Sequence, residues 1–140
     1  MTRRNARELI MQLLYEYTFH TKEDTERLLN EKISKIKETD DGANKAVLKF
    51  IEEEYLGILE HLDEIDDLIE RSATNWSTSR IAKVDFGILR LATYELKWCS
   101  DIPQKVVVNE ALEIAKSYST DKSAKFINGI LGNVIKLIEG

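Results

Sequence analysis

Hydrophobic residues recur at helical spacing along most of this 140-residue chain. From Arg4 to about His20, apolar side chains return every three or four residues, which predicts an amphipathic helix. A second helix is predicted to follow, because Thr21 and Asp24 form a capping pair ahead of another apolar stripe. The polar stretch 37–45 then interrupts the helical pattern.

A longer helical pattern, residues 47–69, occupies the middle of the chain. Its length predicts a break near residues 61–63, although the spacing alone leaves the position open. The next segment, SATNWSTSR at 72–80, is polar and rich in turn-forming residues. It therefore predicts a boundary between two subdomains, 1–75 and 76–140.

Three further helices are predicted beyond this boundary. Residues 84–98 carry an apolar face, and SDIP at 100–103 ends that helix. The stretch 105–116, KVVVNEALEIAK, opens with three valines, so a strand is the alternative there. Helical spacing continues and no partner strand is visible, so we predict a helix. Thr120 or Asp121 caps the last helix, and the whole pattern predicts an all-α fold of about seven helices.

Composition narrows the classes of function. No apolar run approaches the roughly 18 to 20 residues of a membrane-spanning helix, and no signal-peptide pattern follows the first residues. The single cysteine, Cys99, excludes an internal disulfide, suits a reducing cytoplasm and is expected to be a small buried hydrophobe. The net charge of −5 argues against a general nucleic-acid coat, so any nucleic-acid site must be local.

Catalytic and metal-binding patterns are not evident in the sequence. His20 and His61 are isolated from other ligand residues, so we expect no metal site and read both as surface or boundary residues. The motif NGILG at 128–132 lacks the lysine and the preceding strand of a phosphate loop, and its glycines are expected to allow close helix packing. No set of nucleophile, base and oxyanion donors is recognisable, so we predict neither enzymatic activity nor a cofactor.

A basic cluster opens this acidic chain. Arg3, Arg4 and Arg7 fall within about a quarter turn of the first helix. Their mutual repulsion and their position at a helix N-terminus make the cluster slightly unfavourable for the helix itself. An anionic partner would reverse that balance, because guanidinium groups bind phosphate oxygens bidentately. A frayed terminus with solvated arginines is the alternative, and charge alone does not choose between them.

Three motifs in the second half resemble one known family. They are ILRLATYEL at 88–96, IP.KVVVNEALEIAK.Y at 102–118 and KFINGIL at 125–131, and together they closely resemble the bacterial transcription antitermination factors of the NusB family. The arginine-rich start and LLY at 13–15 agree, whereas 22–70 match mainly as a helical pattern. The resemblance implies two small helical bundles packed across one another. It also implies an adaptor that binds boxA RNA with NusE, a small-subunit ribosomal protein, and helps assemble an antitermination complex on RNA polymerase that supports ribosomal RNA transcription.

The resemblance assigns RNA-binding roles near both ends of the chain. The residues that match family positions on or beside the RNA surface, or neighbour them, are Arg3, Arg4, Arg7, Tyr15, Lys116, Tyr118, Asp121, Ser123, Lys125 and Phe126. Aromatic rings in such positions could stack on bases, and Asp121 could accept a hydrogen bond from a base amino group. Packing in the core is the alternative for Tyr15 and Phe126, and helix capping for Asp121. Asn5 stands where the family often has another basic residue, which weakens the expected phosphate binding.

The resemblance also implies a protein-binding surface. Asp85 matches an acidic residue through which the family contacts NusE, with a solvated first-turn carboxylate as the alternative. Arg90 could support that contact but is more typical of an internal structural arginine, and Trp76 is expected to pack under the polar linker, with an interface role second. We therefore predict a non-catalytic RNA-binding adaptor. A protein-only adaptor or homodimer is the alternative, followed by a domain detached from an RNA methyltransferase.

Overall fold

The computed structural model describes residues 1–39, 44–73 and 81–140, and within those ranges it contains seven α-helices and no strand. The all-α prediction is therefore confirmed. The helices are α1 (Arg3–Tyr17), α2 (Thr25–Thr39), α3 (Lys45–Glu60), α4 (Leu62–Ser72), α5 (Lys83–Trp98), α6 (Gln104–Tyr118) and α7 (Asp121–Glu139), and a 3₁₀ turn (Lys22–Asp24) precedes α2.

Most predicted helix boundaries agree with the structure. The long central pattern breaks at His61, between α3 and α4, as the sequence predicted. The valine-rich stretch 105–116 lies within α6 and is helical, so the strand alternative is wrong. Thr120, rather than Asp121, caps α7, because its Oγ1 accepts a hydrogen bond from the Ser123 backbone N–H at 3.0 Å.

The pair Thr21 and Asp24 lies at the start of the second helical segment, as predicted. The Thr21 backbone N–H donates to Asp24 Oδ2 at 3.3 Å and closes the 3₁₀ turn that leads into α2. This hydrogen bond, followed by the one from Arg27, lowers the pKa of the Asp24 carboxyl group below its ordinary value. α1 ends earlier than predicted, at Tyr17, because the chain turns at Thr18 before it enters this segment.

The described residues form two units, Met1–Gly57 and Ile58–Gly140. α4 packs against α5 and α7 and belongs to the second unit, although the sequence assigned it to the N-terminal subdomain 1–75. The division lies near the end of α3 rather than at the polar segment, because local polarity indicates a loop and not which helices pack together. Residues 74–80, and with them Trp76, lie outside the described residues.

The first unit contains α1, α2 and most of α3, and α1 packs against α2. Each helix contributes one apolar face, as the helical spacing predicts. The buried apolar side chains of this unit include Ala6, Ile10, Leu13 and Leu14 from α1, Leu28, Leu29 and Ile36 from α2, and Ile51 and Tyr55 from α3.

The second unit is built on α5, α6 and α7, which pack pairwise, with α4 against α5 and α7. Its buried side chains include Ile65, Ile69, Ile88, Leu89, Ile114, Ile127 and Leu131. Gly129 and Gly132 are exposed, and a Cβ atom added at either position would meet no atom of the described residues within 4 Å, apart from the backbone of its own helix. The prediction that these glycines allow close helix packing is therefore wrong. Cys99 is half-buried rather than buried.

In the parts of the chain that the structure describes, no cluster of three potential metal ligands occurs. His20 Nδ1 lies 3.2 Å from Asp24 Oδ2, and the His61 ring stacks on Trp98 with 4.3 Å between centroids. Across residues 1–39, 44–73 and 81–140, no helix combines the length and apolar character needed to cross a membrane.

Candidate nucleic-acid interface

The N-terminus of α1 presents two exposed arginines. A reciprocal capping pair fixes the start of the helix: the Asn5 N–H donates to Thr2 Oγ1 at 3.0 Å, and the Thr2 N–H donates to Asn5 Oδ1 at 3.1 Å. Arg3 and Arg4 follow in the first turn, which carries no acidic side chain. Their charges add to the positive end of the helix dipole, so this tip of an acidic chain is locally positive.

Arg7 does not belong to that exposed surface, since only 6% of its area is accessible. Its guanidinium carbon lies 5.4 Å from the centre of the Phe50 ring, and that of Arg3 lies 4.4 Å from the same ring. The sequence contained a signal for this burial, because Arg7 precedes the buried residues Ile10 and Leu14 by three and seven positions. That spacing places it on the apolar face of α1.

The C-terminal end of α1 presents two exposed aromatic rings. Tyr15 is 41% exposed, so the structure argues against the core alternative, and Phe19 is 60% exposed. The two rings pack edge to face with 5.3 Å between centroids. Two hydrogen bonds hold the turn that carries Phe19: Thr18 Oγ1 donates to the Tyr15 carbonyl at 2.7 Å, and the Phe19 N–H donates to the Glu16 carbonyl at 3.1 Å.

Phe19 was not among the residues predicted for the interface. The signal in the sequence is its position four residues after Tyr15, the spacing at which side chains on a helix become neighbours. Arg4 and Tyr15 are separated by eleven residues, which correspond to about three helical turns and roughly 16 Å along one side of α1. The helix therefore offers cations at one end and stacking rings at the other.

A second group of predicted residues flanks the link between α6 and α7. Lys116 and Tyr118 lie in the last turn of α6, and the other four lie in the first two turns of α7. The exposed members are Lys116, Tyr118, Asp121 and Lys125, and the half-buried members are Ser123 and Phe126. Lys116 Nζ lies 3.7 Å from Glu113 Oε1, an exposed pair that restrains the lysine only weakly.

Asp85 lies in the first turn of α5 and is 5% exposed, so the alternative of a solvated carboxylate is wrong. Its Oδ2 accepts a hydrogen bond from Ser123 Oγ at 3.1 Å, and its buried Oδ1 has no hydrogen-bond partner among the described residues. The spacing indicated this burial, because Asp85 precedes the buried Ile88 and Leu89 by three and four positions. A residue assigned to the partner surface thus contacts one assigned to the RNA surface.

Arg90 has the internal arrangement that its sequence position suggested. Its Nε and Nη2 donate to the two carboxylate oxygens of Asp66 at 2.8 and 2.9 Å, and its guanidinium carbon lies 4.5 Å from the centre of the Phe86 ring. A bidentate pair of this kind holds α4 against α5. Trp76, the remaining residue assigned to the partner surface, lies outside the described residues.

The sequence of this chain is similar to those of known proteins over nearly its whole length. A family model described as the NusB family matches residues 4–136. The transcription antitermination protein NusB of Clostridium novyi (strain NT) is 43% identical over 136 residues, which cover 97% of this chain and 99% of the relative. The protein of the same name from Agathobacter rectalis is 42% identical over 134 residues, which cover 94% and 97% of the two chains.

Solved structures share the fold. A T. maritima NusB structure is 40% identical, covers 97% of this chain and 92% of its own, and superposes with a TM-score of 0.84. A crystal structure of the antitermination factors NusB and NusE in complex with double-stranded RNA superposes with a TM-score of 0.79 over 96% of both chains. At 24% identity, this second structure supports the fold alone.

Proposed function

This chain belongs to the NusB family of transcription antitermination proteins, and from that premise we propose that it binds single-stranded boxA-type RNA together with NusE. The family is one of antitermination factors and not of enzymes. We assign the protein the role of an adaptor that helps assemble an antitermination complex on RNA polymerase. Because bacterial transcription takes place in the cytoplasm, that compartment is the proposed location.

The observation that carries this proposal is the exposed surface of α1. Arg3 and Arg4 are exposed at one end, where phosphate oxygens can reach them, and Tyr15 and Phe19 present rings at the other. Single-stranded RNA is bound by this combination, because cations attract the backbone and aromatic rings stack on unpaired bases. Each stacked base contributes about 1–3 kcal/mol. The residues beside the α6–α7 link form the second proposed RNA-binding surface.

NusE is the proposed protein partner. The related NusB chain that superposes on this one was solved together with NusE and double-stranded RNA. A basic ribosomal protein is also the kind of partner that suits a chain with a net charge of −5. The proposed partner surface includes the N-terminal region of α5, where Asp85 lies, and Trp76 and Arg90 remain candidates for it.

The test is an anisotropy titration with labelled boxA-like RNA, a scrambled strand of equal composition and a boxA duplex, each with and without NusE. We expect the boxA-like single strand to bind more tightly than the scrambled strand, and NusE to increase the difference. Equal binding of the two strands would contradict sequence recognition. Preferential binding of the duplex would contradict the proposal that the ligand is single-stranded RNA.

The contribution of α1 is tested by replacing Arg3 and Arg4 together with alanine. For single-stranded RNA, each lost phosphate contact reduces the slope of the logarithm of the binding constant against the logarithm of the salt concentration by about 0.7. The magnitude of that slope is therefore expected to fall by roughly 1.4 in the double variant. Replacing Lys105 of α6 and Lys136 of α7 with alanine is the matched control, because it removes two exposed positive charges from the ends of these helices away from the α6–α7 link. Arg7→Ala is unsuitable here, since it would disturb a buried side chain.

The alternatives make distinct predictions in the same experiments. A protein-only adaptor would bind NusE but none of the RNAs. A homodimer that hides the α1 arginines would show RNA binding that weakens as protein concentration rises, with a doubled mass in sedimentation. An unchanged salt slope in the Arg3→Ala, Arg4→Ala variant would place the RNA elsewhere on the protein.

A further inference from the structure

The hydroxyl group of Ser123 connects two parts of the second unit. Its Oγ lies 2.8 Å from Ser119 Oγ, 3.3 Å from Thr120 Oγ1 and 3.1 Å from Asp85 Oδ2. A hydroxyl has one proton to donate, whereas an ionised carboxylate can only accept. Ser123 therefore donates to Asp85 and accepts from Ser119 or Thr120.

The geometry points to a positioning role for Asp85: we propose that it holds the RNA-binding turn of α7 in place by accepting the Ser123 hydrogen bond, without touching RNA itself. This inference rests on the proposed RNA-binding function. A direct contact between Asp85 and RNA is excluded by burial, since 5% of the residue is accessible. Ser123 is half-buried, donates to Asp85, and belongs to the same first two turns of α7 as the exposed Asp121 and Lys125.

The hydrogen bond to Asp85 would act by keeping the first turn of α7 in one conformation before RNA binds. The four N–H groups at a helix N-terminus have no partner within the helix, and Thr120 satisfies only the N–H of Ser123 by capping. The bond to Asp85 attaches this turn to α5, which packs against α7 along the second unit. Without it, the turn would have to be ordered when RNA binds, and that ordering would reduce the affinity.

The positioning role of Asp85 and the NusE contact that the sequence suggested predict different effects of replacing this residue. As a simple contact for NusE, Asp85 could be replaced without any effect on RNA binding by the isolated protein. As a positioning residue, its replacement weakens RNA binding even when NusE is absent. It does so through Ser123, so the effects of the two residues are not additive.

The test measures the affinity of the isolated full chain for boxA-like RNA in Asp85→Ala, Ser123→Ala and the double variant. We expect each single variant to bind about tenfold more weakly, the equivalent of one hydrogen bond to a charged group. The double variant is expected to bind no more weakly than Ser123→Ala alone. Ser123→Thr, which keeps the hydroxyl, and Asp85→Asn, which keeps an acceptor oxygen, are expected to recover most of the affinity.

Ser72→Ala is the matched control, because it removes a buried hydroxyl from α4 that has no hydrogen-bond partner among the described residues. Circular dichroism melts establish that each variant is folded at the temperature of the titration. Wild-type affinity in folded Asp85→Ala, or a fully additive loss in the double variant, would overturn the positioning role.

Asp85→Asn keeps the proposal testable if Asp85→Ala does not fold. The positioning role would then be overturned if Asp85→Asn bound RNA as weakly as Ser123→Ala does, because the acceptor oxygen is still present in that variant. Failure of the wild type to bind any RNA would overturn the proposed function, and this inference with it, before a variant is compared.

Discussion

The phenol of Tyr55 is fully buried in the first unit, and its hydroxyl oxygen has no hydrogen-bond partner among the described residues. Burial, with smaller contributions from Tyr17 and Glu16, raises the pKa of Tyr55 from 10.0 to about 12. The folded state thus holds the phenolic proton more tightly than the unfolded chain does. The stability from this difference is complete below pH 10 and is lost as the pH rises through about 12.

Tyr55→Phe is therefore expected to leave the free energy of unfolding at neutral pH within about 1 kcal/mol of the wild type, or to raise it, because the hydroxyl has no hydrogen-bond partner to lose in the described part of the chain. The variant is also expected to lose less stability between neutral and strongly alkaline pH. Urea unfolding near pH 7 and near pH 11 measures both effects. Tyr15→Phe, at an exposed residue of α1, is the control. A loss of several kcal/mol at neutral pH would show that the hydroxyl has a partner.

For two charged residues, the sequence predicted the helix correctly but not the burial of the side chain. The sequence predicted that Arg7 and Asp85 lie in α1 and α5, and both do. It did not predict that they are buried. A charged side chain was expected to be exposed, although each residue has the helical spacing of the buried apolar residues that follow it. Arg90 was better understood, since an arginine within a strongly apolar pattern is typical of an internal ion pair, and Asp66 provides one.

At the scale of a helix, α7 carries two glycines whose presence the packing does not explain. Gly129 and Gly132 lie within the helix and are exposed, and no neighbouring side chain or helix among the described residues occupies the place of an added methyl group. Glycine costs up to about 1 kcal/mol relative to alanine inside a helix. Each of Gly129→Ala and Gly132→Ala is thus expected to raise the free energy of unfolding by up to about that amount.

Thermal and urea unfolding of the single variants test this expectation, and RNA affinity is measured on the same preparations. A destabilised variant would mean that the added methyl group meets a neighbouring atom. A stabilised variant that no longer binds NusE or RNA would instead indicate that the glycine leaves room for a partner.

The positions of the helices could be predicted from the periodicity of the sequence, whereas which helices pack against each other could not. The break at His61 and the helical state of 105–116 were predictable, because a local pattern of period 3.6 determines both. The assignment of α4 to the second unit was not, because an apolar stripe does not specify the helix that covers it. The glycines of α7 were misread for the same reason, since open space on a helix depends on what packs nearby.

At the scale of the whole molecule, net charge bears on how RNA and NusE bind together. A chain of charge −5 whose α1 tip exposes two arginines is expected to bind RNA only moderately by itself. A basic partner bound beside the RNA extends the positive surface. We therefore expect NusE to tighten RNA binding by roughly 5- to 150-fold, and RNA to tighten NusE binding by the same factor, as linkage requires.

The measurement is the RNA dissociation constant across a NusE titration, paired with the NusE dissociation constant across an RNA titration. Unequal factors in the two directions would indicate an unaccounted equilibrium such as self-association. A flat response with NusE shown to be bound would contradict cooperative assembly, even if both binary complexes form.

The stack of His61 on Trp98 provides an optical probe within the second unit. The two rings are nearly parallel, with 13° between their planes, and Tyr94 also stacks on Trp98 with 5.8 Å between centroids. The emission of an indole depends on the rings packed against it, so the fluorescence of Trp98 is expected to change if His61 moves away from it. Replacing Trp76 with phenylalanine would leave Trp98 as the sole tryptophan. The protein would then report the separation of α4 from α5 without any attached dye.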